Sequence, residues 1–280
     1  MSTAILVDSA ASLPPGLVER HAIAVVTMTV VLGGTARPDT EVSVDELLGH
    51  LAHEAVTTSA PNAGEWMSAV EQALRRADEV VVLTVSREMS SAYATATRAA
   101  SMVGDRVQVI DTRSAAGGEG LVAVAAARLA EQGASAAEIA VEVAKVIDRV
   151  HLVATLDSLD HLARSGRVPE LAGVAGRALR VNPLFEFRDG AAHALHPAIG
   201  RRAAEQRIVH ACLASRPHDA AVTTLHAAAL EAACPDRARS LLDAVLAEVP
   251  EAEVFTGSFG AVMLAHVGPG LVGLAWWWET

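Results

Sequence analysis

The sequence has little cysteine, because Cys212 and Cys234 are the only thiols among its 280 residues. The pair lacks the spacing of metal ligands, and two isolated cysteines are too few for a disulfide framework. This usage is typical of a reducing compartment. We therefore expect a soluble cytoplasmic protein with no disulfide and no bound metal ion.

Long apolar runs and excess positive charge are also missing. No stretch reaches the roughly 18 consecutive apolar residues that suggest a transmembrane helix. The start of the chain, Met1–Ala10, has no basic residue before its short apolar run, which predicts a first strand rather than a signal peptide. The net charge of −11 argues against nucleic acid or an anionic membrane as a partner. We expect only transient contact with membranes.

Several catalytic signatures are absent as well. The chain has neither the G-x-x-x-x-G-K-[ST] pattern of a P-loop nor the G-x-S-x-G elbow of α/β-hydrolases. The pattern Gly118-x-Gly120-x-x-Ala123 matches a dinucleotide fingerprint in form. However, seven residues separate it from the strand that ends at Ile110, whereas the fingerprint begins at the strand's own tight turn. A nicotinamide site is therefore disfavoured, and we expect no cofactor.

The most informative stretch that is present combines a strand, a serine-bearing loop and a helix. The β-branched run Val80–Val85 predicts a buried strand, and a helix-like segment follows at Tyr93–Met102. Ser86, Ser90 and Ser91 lie between them. Ser90 or Ser91 is expected either to cap the helix or to bind an anion together with the helix N-terminus.

Strands and helices alternate up to about residue 150, which predicts an α/β fold with a parallel doubly wound sheet in an N-terminal domain, 1–150. The polar segment Thr57–Asn62 is expected to form a turn, and Gly117–Gly120 to precede a helix at Leu121–Glu131. The strands of this half are predicted at Thr3–Val7, Ala22–Val31, Val80–Val85 and Arg106–Ile110.

The pattern changes in the second half, 151–280, which is expected to form an α+β domain with a mixed sheet. Asp189-Gly190 predicts a tight turn between the strands of a β-hairpin. The hairpin strands are expected at Pro183–Arg188 and Ala191–Pro197, further strands at Ala220–His226 and Ala261–Ala265, and helices at Val174–Leu179, Gly200–Ala214 and Ala229–Val249.

Two further features of the second half are candidates for chemistry. The strand predicted at Ala261–Ala265 would deliver His266 to its end, where Gly268-Pro269-Gly270 turns the backbone tightly. His266 is expected either to stabilise this turn or to contact a ligand. Arg167 and Arg201 are candidate anion clamps, because guanidinium groups match carboxylate and phosphate in shape.

The order of short motifs along nearly the whole chain resembles the DegV family, the fatty-acid-binding (FakB-type) proteins. Each motif is short, but several matches in one order are specific. Asp8–Pro14 resembles the family's DSxxDLP, Thr58–Asn62 its TSQPS, Ser86–Ala96 its SSxLSGTYxSA, Asp111-Thr112 with Gly118-x-Gly120 its DS…GxG, Ser165–Val168 its GGRI, Asn182–Leu184 its KPIL, and His266–Gly270 its HxGPG.

This resemblance implies a two-domain DegV-like fold with a long-chain fatty acid in an apolar tunnel between the domains. A separate fatty acid kinase, similar to dihydroxyacetone kinase, would phosphorylate the bound acid to an acyl phosphate. The chain would be a non-catalytic carrier. The implied carboxylate-binding residues are Thr58, Ser59, Ser90 and His266, with Gly166, Gly268 and Gly270 supplying backbone, Arg167 at the phosphate and Arg201 towards the kinase.

Two other functions stay open at this point. Ser90 and His266 are also the residue types of an acyl hydrolase or transferase. A small-molecule sensor would instead have an empty or polar pocket between the domains. Ser91-Ala92 stand where the family has Gly-Thr.

Overall fold

The computed structural model describes residues 2–54, 56–166, 181–218 and 224–280. Arg167, the predicted helix Val174–Leu179 and the first residues of the predicted strand Ala220–His226 lie outside these ranges. The strands are β1 (Thr3–Asp8), β2 (Ala24–Val26), β3 (Thr29–Leu32), β4 (Thr35–Pro38), β5 (Thr57–Ser59), β6 (Glu79–Thr84), β7 (Val107–Asp111), β8 (His151–Thr155), β9 (Val181–Arg188), β10 (Ala191–Ile199), β11 (Thr224–Glu231), β12 (Glu253–Ser258) and β13 (Val272–Glu279).

The helices alternate with these strands in the first half and cover the sheet of the second. Single turns of 3₁₀ helix occur at Ser9–Ala11 and Asp39–Glu41. The α-helices are α1 (Pro15–Arg20), α2 (Val44–Leu51), α3 (Ala63–Ala73), α4 (Ala92–Val103), α5 (Ala116–Glu131), α6 (Ala136–Ile147), α7 (Asp160–Ser165), α8 (Arg201–Ala214), α9 (Pro235–Glu248) and α10 (Ala261–Val267).

The first sheet is parallel throughout, with strand order β2-β1-β6-β7. Helices α3 and α4 pack together on one face, and α5 and α6 pack together on the other. Strand β6 is buried on both faces, which explains its unbroken apolar run. The predicted parallel doubly wound sheet is confirmed.

The second sheet is mixed, with strand order β10-β9-β8-β13-β11-β12, and among its described strands only β11 and β12 pair in parallel. The predicted hairpin is confirmed. Its turn residues Asp189 and Gly190 both have positive φ, 53° and 83°, as a primed two-residue turn requires. Helices α8 and α9 cover one face, and α5 packs against β11, β12 and β13 on the other.

Helix α5 therefore lies between the two sheets, and its glycines permit this close approach. A Cβ atom on Gly117 would lie 2.4 Å from Leu230 Cδ2 and 2.7 Å from Ala228 Cβ. The prediction that Gly117–Gly120 precede the helix is wrong, because α5 already begins at Ala116. These glycines serve helix packing rather than a loop.

Three other predicted elements differ from the structure. The run Ala22–Val31 is not one strand, because it breaks at Thr27-Met28 into β2 and β3, which belong to different sheets. The predicted helix Ala229–Val249 is wrong in its first part: β11 continues to Glu231, and α9 begins only at Pro235. The predicted turn at Thr57–Asn62 begins as strand β5, which pairs with β3.

The segment before His266 is a helix, not the predicted strand Ala261–Ala265. In α10 the residues Ala261, Val262 and Leu264 are buried, whereas Met263 and Ala265 are half-buried. This spacing fits one face of a helix, which a seven-residue segment can also present as a short apolar run. Among the helices that the structure describes, none combines the length and apolar composition needed to cross a membrane.

Candidate functional site

A cavity of about 540 Å³ lies between the two halves of the chain, within the usual size range of ligand pockets. More than half of its lining residues are apolar, and the others include four hydroxyl-bearing residues, one histidine and the exposed Glu88. Three of the chain's six methionines contribute to it. The lining residues are Ala10, Met28, Thr58, Ser59, Ala60, Val85, Glu88, Met89, Ser90, Ser91, Ala115, Leu162, Gly166, Val262, Met263, His266 and Val267.

The imidazole of His266 and the hydroxyl of Thr58 form a hydrogen bond, with 2.8 Å between Thr58 Oγ1 and His266 Nε2. Strand β5 holds Thr58 through its pairing with Val30 of β3. His266 comes from the last turn of α10, which packs against both β3 and β5. Two residues that are 208 positions apart in sequence thus meet in the cavity wall. Ser59 also lines the cavity, although it is exposed at the end of β5.

The serine loop contributes a second group of hydroxyls. Ser90 Oγ accepts a hydrogen bond from the Ala92 N–H at 3.2 Å, so it satisfies one donor at the N-terminus of α4. Ser91 is the residue that precedes the helix, but its side chain makes no capping bond. Ser90 thus contacts the helix terminus and the cavity at once, and the two predicted roles are compatible.

Ser86 has a different role, which the sequence did not indicate. Its buried hydroxyl donates to the Gly190 carbonyl at 2.6 Å and accepts from the Glu88 N–H at 3.2 Å. Gly190 belongs to the hairpin turn of the second half, and a Cβ there would lie 2.8 Å from Ser86 Oγ. Ser86 therefore ties the serine loop to the hairpin of the second half.

Two buried carboxyl groups, Asp8 and Glu119, lie behind the cavity wall. The Asp8 side chain accepts from the backbone N–H groups of Ala10 at 3.0 Å and Val85 at 2.9 Å, and both of these residues line the cavity. Burial raises the pKa of Asp8 to about 7. Burial, together with the neighbouring charge of Asp8, raises the pKa of Glu119 well above its ordinary value. Both residues lie within motifs quoted above, but neither motif predicted that their carboxyl groups would be buried together.

A third buried carboxyl group supports the wall near Met28. Ser9 Oγ donates to Asp39 Oδ2 at 3.0 Å and accepts from the Met28 N–H at 2.9 Å. Burial raises the pKa of Asp39 to about 6, although the hydrogen bond from Ser9 acts in the opposite direction. Met28 lines the cavity, so this pair of polar residues fixes part of its apolar surface.

The predicted glycines fall into two groups. Gly166 lines the cavity and ends α7 with a φ of 68°. Gly268 and Gly270 instead shape the turn after His266, with φ values of 70° and 92°. A Cβ on Gly268 would lie 2.4 Å from His161 Cδ2, so glycine is required there by both space and backbone conformation.

Arg201 lies outside the cavity wall and is paired. Its Nε atom donates to Asp157 Oδ1 and its Nη2 atom to Asp157 Oδ2, both at 2.9 Å, in a bidentate ion pair. The Arg201 side chain is nevertheless 65% exposed. Arg237, which sequence analysis did not identify, approaches the same carboxylate at 3.5 Å and donates to the Gly270 carbonyl at 2.8 Å. This network supports the turn after His266.

No hydrogen bond joins Ser90 to His266, although the structure describes both residues. His266 Nε2 instead contacts Thr58. A serine nucleophile requires a base within hydrogen-bond reach, so the arrangement lacks the central contact of a serine hydrolase. The cavity combines an apolar surface with hydroxyl and imidazole groups, which suits an anionic group attached to an apolar body.

Comparison with known proteins identifies the family. The model of the DegV family, a family of uncharacterised proteins, matches residues 2–279. A DegV domain-containing protein of Streptomyces coelicolor is 35% identical over 278 residues, covering 97% of this chain and 96% of its own.

Solved structures show the same relationship. A DegV family protein from Thermus thermophilus, described as fatty acid binding, has 27% identity and a TM-score of 0.91, with 99% of both chains covered. DegV from Bacillus subtilis, described as a fatty acid binding protein, has 26% identity and a TM-score of 0.86, with both chains fully covered. With a family model matching nearly its whole length, this chain belongs to the DegV family.

Proposed function

We propose that this protein binds a long-chain fatty acid in the cavity between its two halves, with the carboxylate at Thr58, Ser59, Ser90 and His266. The observation that carries the proposal is the Thr58–His266 contact in the wall of a cavity with mostly apolar lining residues. The two DegV structures described as fatty acid binding support the same ligand class. In this proposal the domains are 1–150 and 151–280, and the cavity is part of the tunnel between them.

The physical chemistry of the cavity suits this ligand. Burying a carboxylate without hydrogen bonds costs several kcal/mol, so hydroxyl and imidazole donors are the groups that such a site requires. Each buried CH₂ group contributes about 0.8 kcal/mol, so an acyl chain in an apolar wall is retained without any covalent bond. The methionines Met28, Met89 and Met263 add a flexible apolar surface to this wall.

We further propose that the protein is a non-catalytic carrier of the fatty acid. It presents the carboxylate to a separate, dihydroxyacetone-kinase-like fatty acid kinase in the cytoplasm and then carries the acyl phosphate. No cofactor takes part on this chain, and membrane contact is transient. Arg167 is assigned to the phosphate and Arg201 to the encounter with the kinase. The exposed, Asp157-oriented guanidinium of Arg201 supports the second assignment.

The first prediction concerns the carboxylate site. Thr58→Val removes the hydroxyl that contacts His266 and keeps the β-branched shape that suits β5, so we expect palmitate affinity to fall about tenfold. Ser90→Ala should weaken palmitate binding in the same direction with little effect on folding. The measurement is isothermal titration of delipidated protein with palmitate.

Thr35→Val is the matched control, because Thr35 is an exposed residue of strand β4 and is not among the residues that line the cavity. It should leave palmitate affinity within twofold of the wild-type value. Equal affinities for the Thr58 variant and the wild type would remove Thr58 from the site. Hydrolysis of an activated acyl ester that is lost in the Ser90 variant would favour a hydrolase instead.

The second prediction concerns Arg201. With the cognate kinase, Arg201→Gln should slow phosphorylation of the bound fatty acid about tenfold, because the proposed docking contact loses its charge. Palmitate retention should not account for this loss, since Arg201 lies outside the cavity wall. Exposed Arg202, the next residue of α8, gives the control Arg202→Gln. Equal rates for both variants would contradict the assignment.

A further inference from the structure

A separate cavity of about 380 Å³ lies where helices α5 and α6 meet the first residues of β11 and the last residues of β13. We call it the junction cavity, because its walls come from both halves of the chain. Among the described residues, none lines both this cavity and the cavity proposed for the fatty acid. Its apolar surface includes Leu121, Val124, Val146 and Trp277. Its volume is within the usual range of small-molecule sites.

Trp277 supplies a buried N–H donor that lacks an acceptor. Only 7% of the residue is exposed, and no residue that the structure describes accepts a hydrogen bond from its Nε1 atom. The neighbouring indoles of Trp276 and Trp278 both donate to Ser215 Oγ, at 2.8 and 3.2 Å. Trp66 Nε1 is also unpaired, but Trp66 is enclosed in the core, whereas Trp277 lines the junction cavity. Since a buried indole N–H usually finds a partner, this donor indicates an acceptor in the cavity.

The ring of Trp277 is held in place by His226. The two rings are stacked, with 4.5 Å between their centroids and 12° between their planes. His226 Nε2 lies 2.8 Å from Glu279 Oε2, and His226 Nδ1 lies 3.1 Å from Glu253 Oε2. Both nitrogens of this buried imidazole therefore face carboxylates. His226 orients the indole and has no ring nitrogen left for a ligand.

Three cationic side chains line the junction cavity, and Arg149 is the one most available to a ligand. Arg128 and Lys145 each form an ion pair with a carboxylate. Arg149 instead donates to a hydroxyl, Thr280 Oγ1, at 3.2 Å, and no carboxylate of the described residues lies within ion-pair distance of it. A guanidinium with a neutral partner can bind a carboxylate without breaking an ion pair.

We propose that the junction cavity binds a small organic carboxylate through Arg149 and the indole N–H of Trp277. The apolar body of this ligand lies against the apolar surface described above. Glu142 and Glu279 also line the cavity, and their charges favour a ligand with one negative charge over a phosphate monoester with two. This site is separate from the proposed fatty acid site and does not depend on it.

The test follows the indole N–H signals of the four tryptophans in ¹H–¹⁵N NMR spectra, after their assignment. Palmitate is present, so that the probe does not enter the first cavity. The probe is 4-phenylbutyrate, and 4-phenylbutanamide has the same body without the charge. We expect 4-phenylbutyrate to shift the Trp277 signal downfield, because its N–H gains an acceptor, and to leave the other three signals nearly unchanged. The amide should bind about fivefold more weakly, or less.

Arg149→Gln removes the available charge and should weaken 4-phenylbutyrate binding about fivefold or more in the same titration. The control is Arg98→Gln, which removes an equal charge from the exposed surface of α4 and should leave the affinity within about twofold of the wild-type value. A Trp277 signal that does not respond to 4-phenylbutyrate, or equal affinities for Arg149→Gln and the wild type, would overturn the junction site. Loss of palmitate binding with the Trp277 response intact would count against the proposed function alone.

Discussion

Gly117→Ala is expected to lower the free energy of unfolding by about 3 kcal/mol, although alanine is the better helix former. The added methyl group would meet Leu230 Cδ2 at 2.4 Å and Ala228 Cβ at 2.7 Å. Both of these residues are buried in β11, and Ala228 Cβ cannot move without shifting the backbone that pairs with β12 and β13, so rotation of the Leu230 side chain would relieve only part of the clash. Helix α5 would have to move away from the second sheet.

Gly49 provides the matched control, since it also lies inside a helix, α2, but a methyl group added to it would have no atom within 4 Å. Gly49→Ala should raise the free energy of unfolding by about 0.5–1 kcal/mol through helix propensity alone. Urea unfolding of the two variants separates the packing cost from propensity. A gain in stability for Gly117→Ala would mean that α5 is not wedged between the sheets.

The sequence was most informative where burial and local pattern agree. The β-branched run predicted the buried strand β6, and Asp189-Gly190 predicted the tight turn of the hairpin. The structure has both elements. It was least informative for alanine. Ala227, Ala228 and Ala229 suggest a helix by propensity, yet they lie in the buried strand β11, because pairing on both sides outweighs a preference of a few tenths of a kcal/mol.

In the candidate site, too, some contacts were indicated by the sequence and others were not. Resemblance to family motifs indicated Thr58 and His266, and the structure brings these two side chains to 2.8 Å. The contact between Ser86 and Gly190 and the burial of Glu119 had no local signal, since each depends on how the two sheets pack around α5. Sequence patterns report local structure and short motifs, whereas such contacts follow from the tertiary arrangement alone.

The buried carboxyl groups give the second large expected effect, a loss of stability as the pH rises. The pKa of Asp8 is about 7 in the folded protein, against an ordinary value of 3.8. The folded state therefore holds this proton more tightly than the unfolded state, and the free energy of unfolding falls as pH rises through this interval. For Asp8 alone the fall is about 4 kcal/mol, at about 1.4 kcal/mol for each pH unit.

Glu119 and Asp39 act in the same direction, because burial raises the pKa of both groups. Glu119→Gln keeps the size of the side chain and removes its titratable proton. We expect the variant to be more stable than the wild type by about 2 kcal/mol near pH 8, with a smaller difference near pH 5. Denaturant unfolding at both pH values measures these differences.

Glu71→Gln, on the exposed surface of α3, is the control and should change neither value by more than about 0.5 kcal/mol. A wild-type protein as stable near pH 8 as near pH 5 would contradict the burial of these charges. The effect should reach the site, because the Asp8 carboxyl group accepts hydrogen bonds from the N–H groups of Ala10 and Val85 in the cavity wall. The group whose burial lowers stability at high pH thus also orders this wall.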